Sequence, residues 1–150
     1  MSIKQGGRYK ITNVQTSTVV DLSGVDNKSI IGWGWHGGDN QRWILEQKPE
    51  DNGQWSIRSV KFNNKYIGFE GDADDGKRLV VTDRRQLWDI YPEGQGGLAK
   101  LKLWVPSSLL VADLTKGNAT FGTPVQLWAS LPAEMQVWNF EELSLLRFLS

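Results

Sequence analysis

The chain reads as an all-β protein, with about twelve short strands in three pseudo-symmetric repeats, closed into a barrel and capped by hairpins. Three observations predict this. A Gln stands two residues before a Trp at Gln41-Arg-Trp43, Gln86-Leu-Trp88 and Gln136-Val-Trp138, with the Trp residues 45 and 50 positions apart. A period of that length marks a repeat architecture. Short β-rich runs also recur between Gly/Asn/Asp clusters such as Gly37-Gly-Asp-Asn40, Asp51-Asn-Gly53 and Gly94-Gln-Gly-Gly97, as they do in sandwiches and barrels. Finally, no stretch before residue 141 keeps apolar residues at i, i+3 and i+4 for three turns.

Taken in order, the runs are Arg8–Thr12, Ser17–Asp21, Trp43–Glu46, Gln54–Arg58, Lys65–Gly68, Arg78–Thr82, Leu101–Trp104, Leu109–Asp113, Pro124–Trp128 and Trp138–Glu141. Superposing the thirds places Ser29 on Pro124 and runs without a gap to Trp43 on Trp138, so that Ile30-Ile-Gly-Trp33 falls on Val125-Gln-Leu-Trp128. Upstream, Val19-Val-Asp-Leu22 matches Leu110-Val-Ala-Asp-Leu114 with Asp21 on Asp113, and Tyr66-Ile-Gly-Phe69 takes that place in the middle third. Each third then holds about four strands. Trp43, Trp88 and Trp138 are expected in the core, with Trp55 and Trp104 in core or base-layer packing. One domain over residues 1–150 follows, with repeats at roughly 6–48, 49–95 and 96–142 and an extension at 143–150. Within Glu141–Leu149 a helical turn or two is expected, and the apolar Leu143–Leu149 either seals the barrel bottom or contributes to a dimer.

Composition narrows the function. The 17 basic and 17 acidic residues cancel, and no basic run exceeds Arg84-Arg85, so the electrostatic footprint of a nucleic-acid binder is missing. No window approaches the roughly 20 apolar residues of a membrane span, which argues against membrane insertion. With no Cys and one His, thiol chemistry, Ser/His arrangements and zinc sites have almost nothing to draw on, so no enzyme, metal or cofactor is expected. The acidic run Glu70–Asp75 lacks the ligand spacing of a calcium loop and reads as a solvated hairpin tip. The N-terminus lacks the apolar stretch of a signal peptide; a cytoplasmic protein is expected, with the Asn27 and Asn118 sequons as ordinary loop residues.

Chemistry concentrates in one segment: Asp21, Trp33, Trp35, His36, Gly38 and Asn40. An ionised Asp accepts two hydroxyl protons and an Asn both donates and accepts. An aromatic face covers a patch of sugar C–H groups with little entropy to lose, and glycines allow close backbone approach. That is the composition of a shallow sugar site. The third repeat keeps Asp113 and Trp128 but has Met135 at the Asn position, a doubtful second site. The middle repeat has Gly68 for the Asp, Arg85 for the Asn and a truncated Val81–Gln86 loop. Asp21 and Asp113 also suit a simple turn-capping role, and His36 suits an exposed loop.

The three Q-x-W marks, each preceded by a matching strand end, resemble the β-trefoil lectins of the ricin B-chain type, and more narrowly the cysteine-free lectins of mushroom fruiting bodies. Val-Asp-Leu-Ser-Gly, Ser-Ile-Ile-Gly and His-Gly-Gly-Asp-Asn-Gln carry the narrower likeness. The resemblance implies a galactose-binding set of Asp21, Trp33 or Trp35, and Asn40, with Gln41 as a buried partner and His36 and the Gly38 backbone as further contacts. It implies a galactose- or N-acetylgalactosamine-type ligand (LacNAc or LacdiNAc) on glycoproteins or glycolipids, and a defence role. One weak site per chain predicts a homodimer, since multivalency raises avidity without new contacts. The rival reading is a β-trefoil protease inhibitor acting through surface loops, which would not require the Asp/Trp/Asn set.

Overall fold

The computed structural model describes residues 2–143. Among them run twelve strands: β1 (Gly7–Asn13), β2 (Val19–Leu22), β3 (Ile30–Trp33), β4 (Trp43–Glu46), β5 (Ser56–Ser59), β6 (Tyr66–Gly68), β7 (Val80–Thr82), β8 (Asp89–Pro92), β9 (Leu101–Trp104), β10 (Leu110–Leu114), β11 (Thr123–Ala129) and β12 (Trp138–Glu142). Tyr9, Ile11 and Asn13 are buried on β1 while the residues between are half-buried, the period-2 pattern of a strand with one face in a core.

Six strands form the barrel. β1 pairs with β4, β4 with β5, β8 with β9, and β9 with β12. Trp55 and Trp88 exchange backbone hydrogen bonds of 2.9 and 2.8 Å between β5 and β8, and β12 returns to β1 to close the ring. The remaining strands make one hairpin per repeat, β2–β3, β6–β7 and β10–β11. The hairpins meet one another: Thr123 pairs with Gly32, Ser29 with Val80, and Arg78 with Gln126. The fold is a β-trefoil, as expected.

Each repeat is tied by its indole. Trp43, Trp88 and Trp138 are fully buried and donate their Nε1–H to the carbonyls of Val20, Ile67 and Ala112 at 3.0, 3.1 and 3.2 Å. The three acceptors occupy equivalent positions, one residue before Asp21, Gly68 and Asp113. The superposition of thirds also holds in the register: Val19 faces Trp33 and Asp21 faces Ile31, while Val111 faces Trp128 and Asp113 faces Gln126.

Some expectations change. Asp89–Pro92 was not among the runs read as strands, yet forms β8; it pairs with β9 although Tyr91 and Pro92 are exposed. Glu141 and Glu142 are strand rather than helix, paired with Lys10 and Tyr9, because barrel closure supplies backbone partners that local helix propensity does not. Residues 144–150, with most of the apolar extension, lie outside the described residues. Trp55 does pack on the core, whereas Trp104 is half-buried beneath Lys102, whose Nζ lies 5.9 Å from the ring centroid. The Glu70–Asp75 run is mostly exposed at the β6–β7 hairpin, and no helix among the described residues is long and apolar enough to cross a membrane.

Replacing Trp88 by Phe removes ring volume and strands the buried Ile67 carbonyl, and is expected to cost about 3 kcal/mol. Urea denaturation of Trp88→Phe beside the wild type measures this; an unchanged midpoint would show that the indole hydrogen bond does not hold the repeat.

Candidate functional site

In the first repeat, Asp21 sits on β2 with its side chain on the same sheet face as Ile31 and Trp33 of β3, since directly opposed residues share a face and alternation returns to it every second position. The carboxylate is nearly buried, at 3% exposure, while Trp33 is 38% exposed. Gln41, in a single 3-10 turn (Asp39–Gln41), fastens the loop to this strand. Its amide donates to Asp21 Oδ2 and to the Gly34 carbonyl, both at 2.8 Å, and its Oε1 accepts from the His36 and Gly37 N–H groups at 2.9 and 3.3 Å. Asn40 Nδ2 donates to the Leu22 carbonyl at 3.2 Å.

His36 stands over the carboxylate. Its Nδ1 accepts the Gly38 N–H at 3.0 Å, which puts the ring proton on Nε2 when the imidazole is neutral. Nε2 lies 4.0 Å from Asp21 Oδ2, too far for a direct hydrogen bond. Asp21, His36 and Asn40 therefore converge, with Trp33 on the same sheet face as Asp21. Gly38 serves by orienting His36, and its N–H is engaged in doing so. Trp35 diverges from the group: Lys10 Nζ lies 4.7 Å and Arg42 Cζ 5.9 Å from its ring centroid, and Arg42 Nε donates to the Gly37 carbonyl at 2.9 Å.

The third repeat reproduces the clamp. Gln136 Nε2 donates to Asp113 Oδ2 and the Ala129 carbonyl, both at 3.0 Å, and its Oε1 accepts the Leu131 N–H at 2.7 Å. Here Asp113 and Trp128 line a cavity of about 300 Å³ with Thr115, Lys116, Gln126 and Met135. The difference lies in the occupants. Gln126, where the first repeat has Ile31, donates to Asp113 Oδ1 at 3.1 Å, so both carboxylate oxygens already serve glutamines. Met135 supplies no donor where the first repeat has Asn40. In the middle repeat a Cβ on Gly68 would lie 3.1 Å from Gln86 Cβ, and Arg85 turns away to Asp51 (2.8 and 3.3 Å) and Ser56 (3.2 Å). No group of three or more His, Cys, Asp or Glu able to hold a metal occurs among the described residues.

Two participants were not among the residues singled out from the sequence. Gln126 was legible, since the superposition puts it on Ile31, and a donor beside an Asp signals that the acceptor is taken. Phe121, from the third repeat, stacks near Trp33 with ring centroids 5.1 Å apart, and nothing in the sequence marks it.

The fold and this clamp define a ricin-type trefoil, and the comparisons agree. The model of the family described as ricin-type β-trefoil lectin domain-like matches residues 2–82. The chain is similar to the Macrolepiota procera ricin B-like lectin solved in complex with lactose, at 38% identity and a TM-score of 0.88, covering 95% of this chain and 100% of that one. It is similar to the Rhizoctonia solani agglutinin at 28% identity and a TM-score of 0.84, covering 95% and 99%. The designed threefold protein ThreeFoil shares the fold at 20% identity and a TM-score of 0.82, covering 91% and 99%. No match is found among the curated proteins. The chain belongs to the ricin-type β-trefoil lectin domain-like family.

Burial is the main influence that raises the carboxyls of Asp21 and Asp113 above the ordinary aspartate value of 3.8, against the glutamine bonds that lower them. Asp51 moves the other way, held down mainly by the Arg85 hydrogen bonds. Stability from a raised carboxyl is complete below the unfolded value and lost as the pH rises through the folded one; stability from Asp51 is present at neutral pH and lost as the pH falls through its lowered value. A carboxyl-detected NMR titration is expected to show Asp21 and Asp113 titrating above 3.8 and Asp51 below it. The reverse order would refute this account of burial at the two sites.

Proposed function

We propose that this protein is a non-enzymatic lectin that binds galactose- or N-acetylgalactosamine-type glycans through one site, in the first repeat. The observation that carries the reading is the 4.0 Å gap between Asp21 Oδ2 and His36 Nε2. A hydroxyl oxygen about 2.8 Å from each would see them at roughly a right angle, a good geometry for donating to the carboxylate while accepting from the imidazole. Asn40 beside it supplies a further donor and acceptor. Trp33, on the same face as Asp21 and well exposed, supplies the ring that stacks on the sugar C–H patch; the cations over Trp35 favour Trp33 in that role. The lactose complex of the Macrolepiota procera lectin and the GalNAc complex of the earthworm R-type lectin support a galactose-type ligand. The third repeat, where each Asp113 oxygen already accepts from a glutamine and Met135 replaces Asn, is read as silent.

A single shallow site reaches only about 4 kcal/mol at a millimolar dissociation constant, so a homodimer is part of the reading, as are a cytoplasmic location and a defensive role against animals that feed on the source organism.

A glycan array is expected to show terminal β-galactosides or N-acetylgalactosaminides bound by the wild type. Asp21→Asn and Asn40→Ala should weaken that binding about 10- to 100-fold, the worth of hydrogen bonds to a charged group, with unchanged far-UV circular dichroism, whereas Asp113→Asn should leave it intact. A folded wild type that binds no glycan would sink the lectin assignment, and an equal loss in Asp113→Asn would sink the single site. Sedimentation equilibrium should give twice the chain mass at concentrations where cells agglutinate; a monomer under those conditions would rule out the dimer.

A further inference from the structure

We propose that Trp33 and Phe121 form a second subsite, built across two repeats, which takes the apolar face of the saccharide unit next to the one held at Asp21, so that the preferred ligands are disaccharides or longer. The inference rests on the galactoside reading above and names the ligand size that the same site selects.

The two rings lie 5.1 Å apart at 39° and present 38% and 55% of their surface to solvent. A paired aromatic surface of this exposure at the edge of a polar site is costly to leave uncovered. It is also rigidly built. The Gly122 N–H donates to the Gly32 carbonyl at 2.8 Å, and Thr123 pairs with Gly32, which holds the third-repeat hairpin against β3. The tip of the Phe121 ring then abuts Gly34, where a Cβ would come within 2.6 Å of its Cζ. A Cβ added at Gly122, where φ is +101°, would lie 3.9 Å from the Trp33 ring, so the turn runs beside the indole.

Pseudo-symmetry supplies the control. The Gly76 N–H donates to the Leu127 carbonyl at 2.8 Å, and a Cβ added at Gly76 would lie the same 3.9 Å from Trp128, so the middle-repeat hairpin meets the third-repeat site as the third-repeat hairpin meets the first. At that junction the residue in the place of Phe121 is Asp75, which accepts the Ala129 N–H at 2.8 Å, and Ala129 occupies the place of Gly34. The third-repeat site thus has an alanine and a carboxylate where the first has a glycine and an aromatic ring. Glycine at 34 and phenylalanine at 121 go together, 87 positions apart, and they do so only at the repeat whose Asp remains open to a ligand. Trp33 belongs to both surfaces, so a sugar stacked on it continues directly onto Phe121.

Titration calorimetry with methyl β-galactoside, lactose and N-acetyllactosamine tests this on the wild type, Phe121→Ala, Phe121→Tyr and Gly34→Ala. The wild type is expected to prefer the disaccharides about fivefold, the worth of one well-placed aromatic contact. Phe121→Ala, and Gly34→Ala through displacement of the ring, should reduce that preference to less than twofold, and Phe121→Tyr should keep it. A wild type without the preference, a preference that survives in Phe121→Ala, or an equal loss for all three sugars would each overturn the subsite while leaving the Asp21 site standing. A folded wild type that binds none of the three sugars would instead remove the galactoside reading, and the subsite with it.

Discussion

Everything in this molecule hangs on a hydrogen bond made three times, from a buried indole N–H to the backbone of its own hairpin. Trp43, Trp88 and Trp138 sit in or beside barrel strands, and their acceptors at Val20, Ile67 and Ala112 lie on the first strand of each hairpin. The bond fixes the height and rotation of the hairpin on the barrel. Its net worth is modest, about 1 kcal/mol, but leaving the carbonyl unpaired in the core costs more. Since side chains alternate along a strand, anchoring the carbonyl of residue 20 decides that residue 21 faces away from the core. The Asp21 carboxylate is presented because the core tryptophan is bonded one residue earlier.

On that common frame the three repeats have diverged by small substitutions. The glutamine before each Trp is free to clamp an Asp and a loop, and does so twice, through Gln41 and Gln136. In the middle repeat no Asp is present to clamp, and Arg85 supports the Asp51 turn instead. In the third, Gln126 satisfies the carboxylate from inside the protein. Only the first repeat leaves an acceptor facing an imidazole donor across a gap with polar and aromatic groups beside it. A scaffold of threefold stability carries one chemically distinct place, in keeping with the rule that function resides in a site rather than in a fold.

Much of this was legible from residue order. The repeat, its register and the burial of the three tryptophans follow from spacing alone, because equivalent positions in a closed threefold barrel must meet equivalent neighbours. The convergence of Asp21, His36 and Asn40 was also legible, since all three lie within one repeat and one clamp. Less visible was β8, where Asp-Ile-Tyr-Pro shows no alternation and becomes a strand only because β9 pairs with it. Glu141 and Glu142 carry helix propensity but close the barrel against β1. The different surroundings of Trp33 and Trp35, two residues apart in a glycine-rich segment, also escape the sequence: one lies by Phe121, the other by Lys10 and Arg42.

The sequence by itself determined the number of repeats, the three core tryptophans and which repeat retains a full set of polar groups, because each depends on residues close together in the chain or on a fixed period. The tertiary structure alone decided what surrounds that set. Hairpins from different repeats are brought together by the closed barrel, so the arrival of Phe121 at Gly34, and of Asp75 at the matching place on the third repeat, is a consequence of threefold packing that no local pattern encodes.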